Sequence, residues 1–504
     1  MPPVRPAERL AAFLSWQPRH RVLHATTLAF LLSFVVWFNY APFQLAIGAD
    51  LGLTPAQLAV IGLCNIALTV PARLLVGRLL DRFGPRRLYA GLLVAAAVPN
   101  TVFATATSFD TLVVARLALG VVGAGFVVGI RMVAEWFDRD EIGTAEGIYG
   151  GWGNFGSAVA ALVLPSVAVW LADGESAWRW GVFVSGVVAA GYGVAYLLLV
   201  RDTPAGTGYE RRRTRGPLEV TSPAGVVGLV LLQVPPYAVL GYVAYRLQVA
   251  GVLPGATGTL AYATVAALLG RAVVGCVRAN RRALAGAYPD RERYPFRSVA
   301  LLALAYLVSF GTELTVVALL PTYFATTFGL HLAAAGAAGS AFAFTNLVTR
   351  PAGGLLSDVR ASRARTLAAL LVGAAGCFAA LSQLSPGWPL VTGIALVALA
   401  SVFVQAANGA VFAMVPLVQR RQSGSIAGIV GAYGNTGGLL FAAVLFFTAT
   451  GTSLGDTSLL FAMIAGAALV VGLLCRWLLP EPARAAHPAG PARQPVAVFE
   501  AASA

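Results

Sequence analysis

The sequence predicts an all-α protein that crosses a membrane many times. It is expected to consist of two similar six-helix halves with two extra helices between them. Three observations predict this. Of the 504 residues, 58% are hydrophobic and only 11% are charged, against about 25% charged in soluble domains. Apolar runs near the ~20 residues that a helix needs to cross a bilayer recur down the chain. Two motifs in the first half return in the second at nearly equal spacing.

Fourteen helical spans are expected, at 24–47, 56–79, 88–107, 110–133, 143–171, 180–200, 224–247, 256–277, 298–323, 335–357, 366–384, 390–416, 424–450 and 458–479. The seventh contains Pro235 and Pro236 and the eighth contains Arg271, so either could instead be re-entrant. The chain has no Lys, and its 35 basic residues are all Arg. They gather in alternate loops. Arg78, Arg82, Arg86 and Arg87 follow span 2; Arg211, Arg212, Arg213 and Arg215 follow span 6; Arg278, Arg281, Arg282, Arg291 and Arg293 follow span 8; Arg360, Arg363 and Arg365 follow span 10; and Arg420 and Arg421 follow span 12. Intervening loops such as "GADLGLTP" and "GTSLGDT" carry no Arg. The positive-inside rule then puts both termini in the cytoplasm, in a multi-pass protein of the cell membrane.

The net charge of +14 is explained by these loops and calls for no nucleic acid. Arg5, Arg9, Arg19 and Arg21 mark residues 1–23 as a cytoplasmic arm, with no small-residue cleavage site after a short apolar run. Residues 480–504, rich in Pro and Ala, read as a disordered cytoplasmic tail. The four Cys (Cys64, Cys276, Cys377, Cys475) and four His (His20, His24, His331, His487) show no ligand spacing. Neither a metal nor a cofactor is expected.

The duplication lies in two pairs of segments. "RLLVGRLLD" (Arg73 to Asp81) matches "RPAGGLLSD" (Arg350 to Asp358) at an offset of 277 residues, and "GTAEGIYGGWGNFG" (from Gly143) matches "GSIAGIVGAYGNTG" (from Gly424) at 281. Both copies keep the same orientation, as in transporters made of parallel repeats. The halves are therefore 24–200 and 298–479, and 201–297 is a linker holding the two inserted spans.

Arg73 and Arg350 occupy equivalent places. Each precedes its loop Asp by eight residues, about 12 Å along a helix, which is close to the midplane of a core about 30 Å thick. An intramembrane Arg costs about 2.5–3.5 kcal/mol on insertion scales and is functional by default. A pseudo-two-fold axis along the membrane normal would make the two guanidinium groups face each other. An anion between them would relieve their repulsion, and each planar fork can bind a planar oxyanion through paired hydrogen bonds. The alternative is that each Arg pairs privately with a carbonyl or a structural acid. Small-residue packing accounts for most glycines of the second motif. It does not account for Asn154 and Asn435, which are placed beside the anion. Glu313 is the most central acid, and Tyr306, Phe310 and Glu313 share a face at i, i+4, i+7. Glu313 is either a proton carrier or a structural partner of an Arg. Arg116 and Arg131 read as structural residues that snorkel to a membrane face.

These motifs resemble a known family. "GRLLDRFGPRR" is similar to the loop after the second helix of the major facilitator superfamily. Within that superfamily, "GGWGNFG", "GAYGNTG", "RPAGGLLSD" and "ANGAVFAMVP" resemble the nitrate/nitrite porters, over roughly 24–200 and 298–479. The resemblance implies alternating access, with Arg73 and Arg350 holding nitrate or nitrite and Asn154 beside it. It also implies that Tyr306 and Phe310 of "YLVSF" and Phe126 of "GAGF" line the site. Gly77, Asp81, Arg82, Gly84, Arg86 and Asp358 become the conformational loop motif. The family has twelve spans, so the inserted pair is a departure, and "SDVRASRAR" lacks the loop glycine of its first-half counterpart. The expected activity is nitrate/nitrite exchange or proton-coupled nitrate symport, by a monomer in the lipid bilayer. Transport of another small anion such as an organic monocarboxylate is the alternative. An anion sensor would want a soluble signalling domain, and an intramembrane enzyme would want a nucleophile–base pair or metal cluster at depth.

Overall fold

The computed structural model describes residues 13, 15–209, 217–287, 293–330, 332–360, 362–385, 387–448 and 456–482. Arg5, Arg9, Arg211, Arg212, Arg213, Arg215, Arg291, His331, His487 and most of the expected tail lie outside them. Among the described residues every regular element is a helix, and thirteen segments are long and apolar enough to cross a membrane.

The principal helices of the first repeat are α1 (Pro18–Phe38), α2 (Pro55–Ala67), α3 (Thr69–Phe83), α4 (Pro85–Ala104), α5 (Phe109–Leu119), α6 (Gly125–Trp136), α7 (Ile142–Asn154), α8 (Gly156–Leu171) and α9 (Trp178–Leu199). Then come α10 (Pro223–Leu231), α11 (Val234–Val249) and α12 (Gly255–Ala279). The second repeat holds α13 (Phe296–Phe328), α14 (Leu332–Phe344), α15 (Asn346–Val359), α16 (Arg363–Leu381), α17 (Leu390–Val418), α18 (Ser423–Thr448) and α19 (Thr457–Leu478).

Starts and stops follow local chemistry. Thr54 and Gln57 form a reciprocal capping box on α2, and Ser108, Ser222, Ser362 and Asp456 cap α5, α10, α16 and α19. Between α3 and α4 the chain turns at Gly84, whose φ of 85° is open to glycine and strained for other residues. Pro85 then opens α4, where it needs no N–H.

The expected tenth span, 335–357, is two shorter helices that meet at Thr345, and span 2 is likewise broken at Leu68. Each break lies five residues before the repeat arginine. Spans 7 and 8 are helical segments of crossing length, Pro223–Val249 and Gly255–Ala279, with the former interrupted at Leu232 and Gln233 beside the prolines. The inserted helices pack on the outside. Phe296 covers Gly228, Tyr433 donates to Leu232 O at 3.0 Å, and α12 leaves most of its surface outside the protein.

Arg116 and Arg131 do not snorkel. Both are fully buried. Arg116 donates to Asn39 Oδ1 at 2.8 Å and to Trp37 O, under the rings of Tyr40 and Phe103. Arg131 pairs with Glu135 at 2.7 Å and donates to Ser423 Oγ at 2.7 Å. Internal acceptors at their own depth make a reach to the surface unnecessary.

Candidate functional site

The two repeats meet along their glycine helices, and the contacts come in matched pairs. A Cβ at Gly77 would lie 2.6 Å from Gly424 O, and one at Gly354 would collide with Gly143 O. A Cβ at Gly428 would lie 2.6 Å from Arg73 O, and one at Gly147 would lie 2.7 Å from Arg350 O. So α3 lies against α18 and α15 against α7, each at backbone contact. The motif acids fasten both crossings on the Arg-rich face. Asp81 Oδ2 accepts from Ser425 N at 3.1 Å and Ser425 Oγ at 2.6 Å. Asp358 accepts from Gly143 N at 3.0 Å, Thr144 N at 2.6 Å and Thr144 Oγ1 at 2.9 Å, and it pairs with Arg363 at 2.9 Å. Carboxylates at helix N-termini meet free N–H groups and the positive end of the helix dipole. Arg86 ties the same loop to the end of α9, through Leu197 O at 2.8 Å and Asp202 Oδ1 at 2.7 Å. Arg82 stacks locally on Phe83.

One turn beyond each helix break, the repeat arginines reach the centre. Arg73 is 0% exposed and Arg350 1%. Both guanidinium groups lie over the same two rings. They are 5.4 and 5.9 Å from the centroid of Phe126 and 5.4 and 5.8 Å from that of Phe310, for Arg73 and Arg350 respectively. Cation–π attraction offsets part of the cost of burial, by about 2 kcal/mol when such a pair is desolvated. Each Arg also lies across a glycine of the opposite repeat. Arg73 Nη1 donates to Gly431 O at 2.6 Å and Nε to Gly123 O at 3.3 Å, and Arg350 Nε passes 3.1 Å from where a Cβ of Gly150 would be. Arg73 Nη2 has no hydrogen-bond partner.

Tyr306 donates structure on two sides. Its hydroxyl accepts from Arg350 Nη2 at 3.2 Å, and its ring stacks nearly parallel with Phe310 at 4.9 Å and Phe126 at 6.1 Å. Glu313 sits below Arg350, 3.7 Å from Nη1. Its two oxygens accept from Asn346 Nδ2 at 2.9 Å and Asn408 Nδ2 at 2.8 Å. Asn154 and Asn435 are both buried, and neither amide has a hydrogen-bond partner on its N or its O.

The structure thus gathers Arg73, Arg350, Phe126, Tyr306, Phe310 and Glu313. It adds Phe412, which packs edge-on against Phe126 at 4.6 Å and Tyr306 at 4.8 Å, and it adds Asn346 and Asn408. Two further repeats carry the signal for some of these. "AFLLSF" from Ala29 matches "AYLVSF" from Ala305, and "GAGF" ending at Phe126 matches "GAVF" ending at Phe412. Under the first match Glu313 corresponds to Trp37, so the polar cage around the acid exists in the second repeat alone.

The chain is similar to known proteins in sequence and in fold. A family model described as Major Facilitator Superfamily matches residues 26–305 and 302–503. The nitrate/nitrite transporter NrtP of Picosynechococcus sp. is 42% identical over 507 residues, covering 94% of this chain and 95% of the relative. The probable nitrate/nitrite antiporter NarK1 of Thermus thermophilus is 27% identical, covering 68% of this chain and 61% of its own. Among solved structures, the proton:xylose symporter XylE bound to 6-bromo-6-deoxy-D-glucose shares the fold, with a TM-score of 0.60 at 14% identity, over 92% of this chain and 96% of that one. Repeated helical halves crossing at paired glycines, and these matches over nearly the whole chain, establish that the chain belongs to the Major Facilitator Superfamily.

Proposed function

We propose that this protein carries nitrate and nitrite across the cell membrane by alternating access, as a monomer with both termini in the cytoplasm. One observation carries the reading: two guanidinium groups from equivalent positions lie over the same two aromatic rings, and each keeps an Nη atom without a hydrogen bond, Nη2 in Arg73 and Nη1 in Arg350, the latter 3.7 Å from Glu313. A thin planar oxyanion suits these donors, taking in-plane hydrogen bonds from both forks while the rings of Phe126, Tyr306 and Phe310 bound its faces. The names of the 42% identical relatives support nitrate and nitrite as the cargo.

Asn154 and Asn435 supply further amide donors at the anion, which accounts for two buried amides without protein partners. Residues 24–200 and 298–479 rock against each other, with 201–297 as a peripheral insertion facing lipid. Gly77, Gly84, Asp81, Arg82, Arg86 and Asp358 fasten the cytoplasmic side. Glu313 serves as a fixed counter-charge for Arg350, because both its oxygens already accept amide N–H donors.

The test is counterflow into proteoliposomes. Vesicles loaded with nitrite should take up labelled nitrate, and vesicles loaded with sulfate or acetate should not. Equal uptake with acetate inside would mean a broader monocarboxylate carrier, and no counterflow with any load would overturn the reading.

A further inference from the structure

Helix α7 carries a second buried acid that the anion site does not use. Glu146 is 1% exposed, and neither carboxyl oxygen has a hydrogen-bond partner. It lies on one face with Gly150 and Gly153, at i, i+4 and i+7. Arg350 passes over Gly150, and Phe30 packs on Gly153. Glu146 is therefore one turn, about 6 Å along the axis, from the anion site toward the Arg-rich face. The second repeat has Ala427 at the matching place.

The charged and titratable groups on the elements packed against α7 are engaged elsewhere or exposed. On α1, Arg19 pairs with Glu141 at 2.6 Å, Arg21 is exposed, His20 bonds Ser15 Oγ and His24 bonds Phe13 O. On α6, Arg131 pairs with Glu135 and Ser423. On α15, Arg350 holds Tyr306 and Glu313, and Asp358 holds Arg363 and the start of α7. Within α7, Tyr149 donates to Phe126 O at 3.0 Å. Helices α8 and α17 have no ionisable side chain. A lone carboxylate in such a dry place costs far more than a neutral carboxylic acid. Glu313, held by amide N–H groups and an Arg, is the opposite case.

We propose that Glu146 takes up one proton with each anion and releases it to water on the Arg-rich side. While that side is closed, hydronium entering from the opposite side with the anion gives its proton to one carboxyl oxygen: one of its O–H bonds breaks, the carboxyl O–H bond forms, and water is left. The carboxyl O–H bond breaks when the Asp358 clamp on Gly143 and Thr144 lets go and water reaches the start of α7, the proton leaving as hydronium. Nothing is oxidised or reduced. The anion site supplies the coupling. Empty, Arg73, Arg350 and Glu313 together carry one net positive charge, which favours the Glu146 carboxylate. A bound anion cancels that charge and favours the acid, so anion and proton each raise the other's occupancy.

This inference rests on the anion-transport reading, and the experiment separates the two. The full chain in proteoliposomes is given a gradient of one pH unit, acid outside. Wild type should accumulate nitrate up to about tenfold, the limit for one proton per anion. Glu146→Gln should bring nitrate only to its outside concentration while nitrate–nitrite counterflow continues. Glu146→Asp, which keeps an acid, should keep the accumulation. Full accumulation by Glu146→Gln overturns the proposal, as does loss of counterflow in both variants, which would mark the residue as purely structural. Counterflow without accumulation in wild type also overturns it and leaves the transport reading standing. Absence of wild-type counterflow means the transport reading itself has failed.

Discussion

A guanidinium offers five N–H donors in a rigid plane, and the two central arginines engage theirs only in part within the protein. Arg73 gives Nη1 and Nε to carbonyls, and Arg350 gives Nη2 to Tyr306. An ammonium would keep the charge and lose the fork. Arg73→Lys and Arg350→Lys should each lower kcat/KM for nitrate at least about tenfold, the loss of one or two charge-assisted hydrogen bonds at about 1.5–3 kcal/mol each. Expression and elution volume should be unchanged. Near wild-type transport by either variant would refute bidentate recognition there. Glu313→Gln should reduce counterflow and pH-driven uptake together, since it leaves Arg350 without its counter-charge; a selective loss of the pH-driven mode would make Glu313 the carrier. The arginines were legible in the sequence because a charge among apolar residues is costly and repeats in register. Asn346 and Asn408 were not, because an amide has no such signature, and their shared partner Glu313 is 33 and 95 residues away.

Helices here meet through absence of side chains. Gly77 against Gly424 and Gly354 against Gly143 bring backbones together where any Cβ must push them apart. Overpacking of this sort costs about 1–3 kcal/mol, and it falls only on the conformation in which the Arg-rich side is closed. Gly77→Ala and Gly354→Ala should therefore shift the population toward opening on that side, by about five- to 150-fold. A reporter Ala427→Cys on α18 should react faster with a maleimide in these backgrounds. The four native cysteines are buried, so the background should be low. Unchanged labelling would mean that these crossings do not gate the closed form. Helical spans were readable from apolar runs, but the interruptions at Leu68 and Thr345 were not. No proline or glycine occupies either position, and tertiary contacts such as Thr69 Oγ1 to Gly120 O at 2.5 Å fix the first of them.

At the scale of the molecule, twelve spans would suffice for two halves; of the inserted helices, α10 and α11 bury Val226, Leu229, Val239, Val243 and Leu247 against the core, and α12 leaves most of its surface outside. Tyr433 to Leu232, between α10 and α11, and Gln422 to Glu219, before α10, at 2.8 and 3.2 Å, tie the insertion to the second half. Deleting roughly 224–277 and rejoining the flanks should keep nitrate binding and lower the melting temperature. Loss of binding in a folded deletion protein would make these helices part of the core. Their helical nature came through in the sequence in spite of Pro235, Pro236 and Arg271. Their place could not, because no repeated motif anchors them to a partner.

The charges gathered at the centre have an electrical consequence. Two Arg and one Glu leave the empty site at +1, and one nitrate brings it to zero. A deprotonated Glu146 one turn away also balances the empty form. Loaded and empty carriers then each cross the field uncharged, although moving one elementary charge across 100 mV is worth about 2.3 kcal/mol. A carrier wired this way draws on the proton gradient alone and is indifferent to the sign of the membrane voltage. A cell could swing its potential freely without reversing the flow of nitrate.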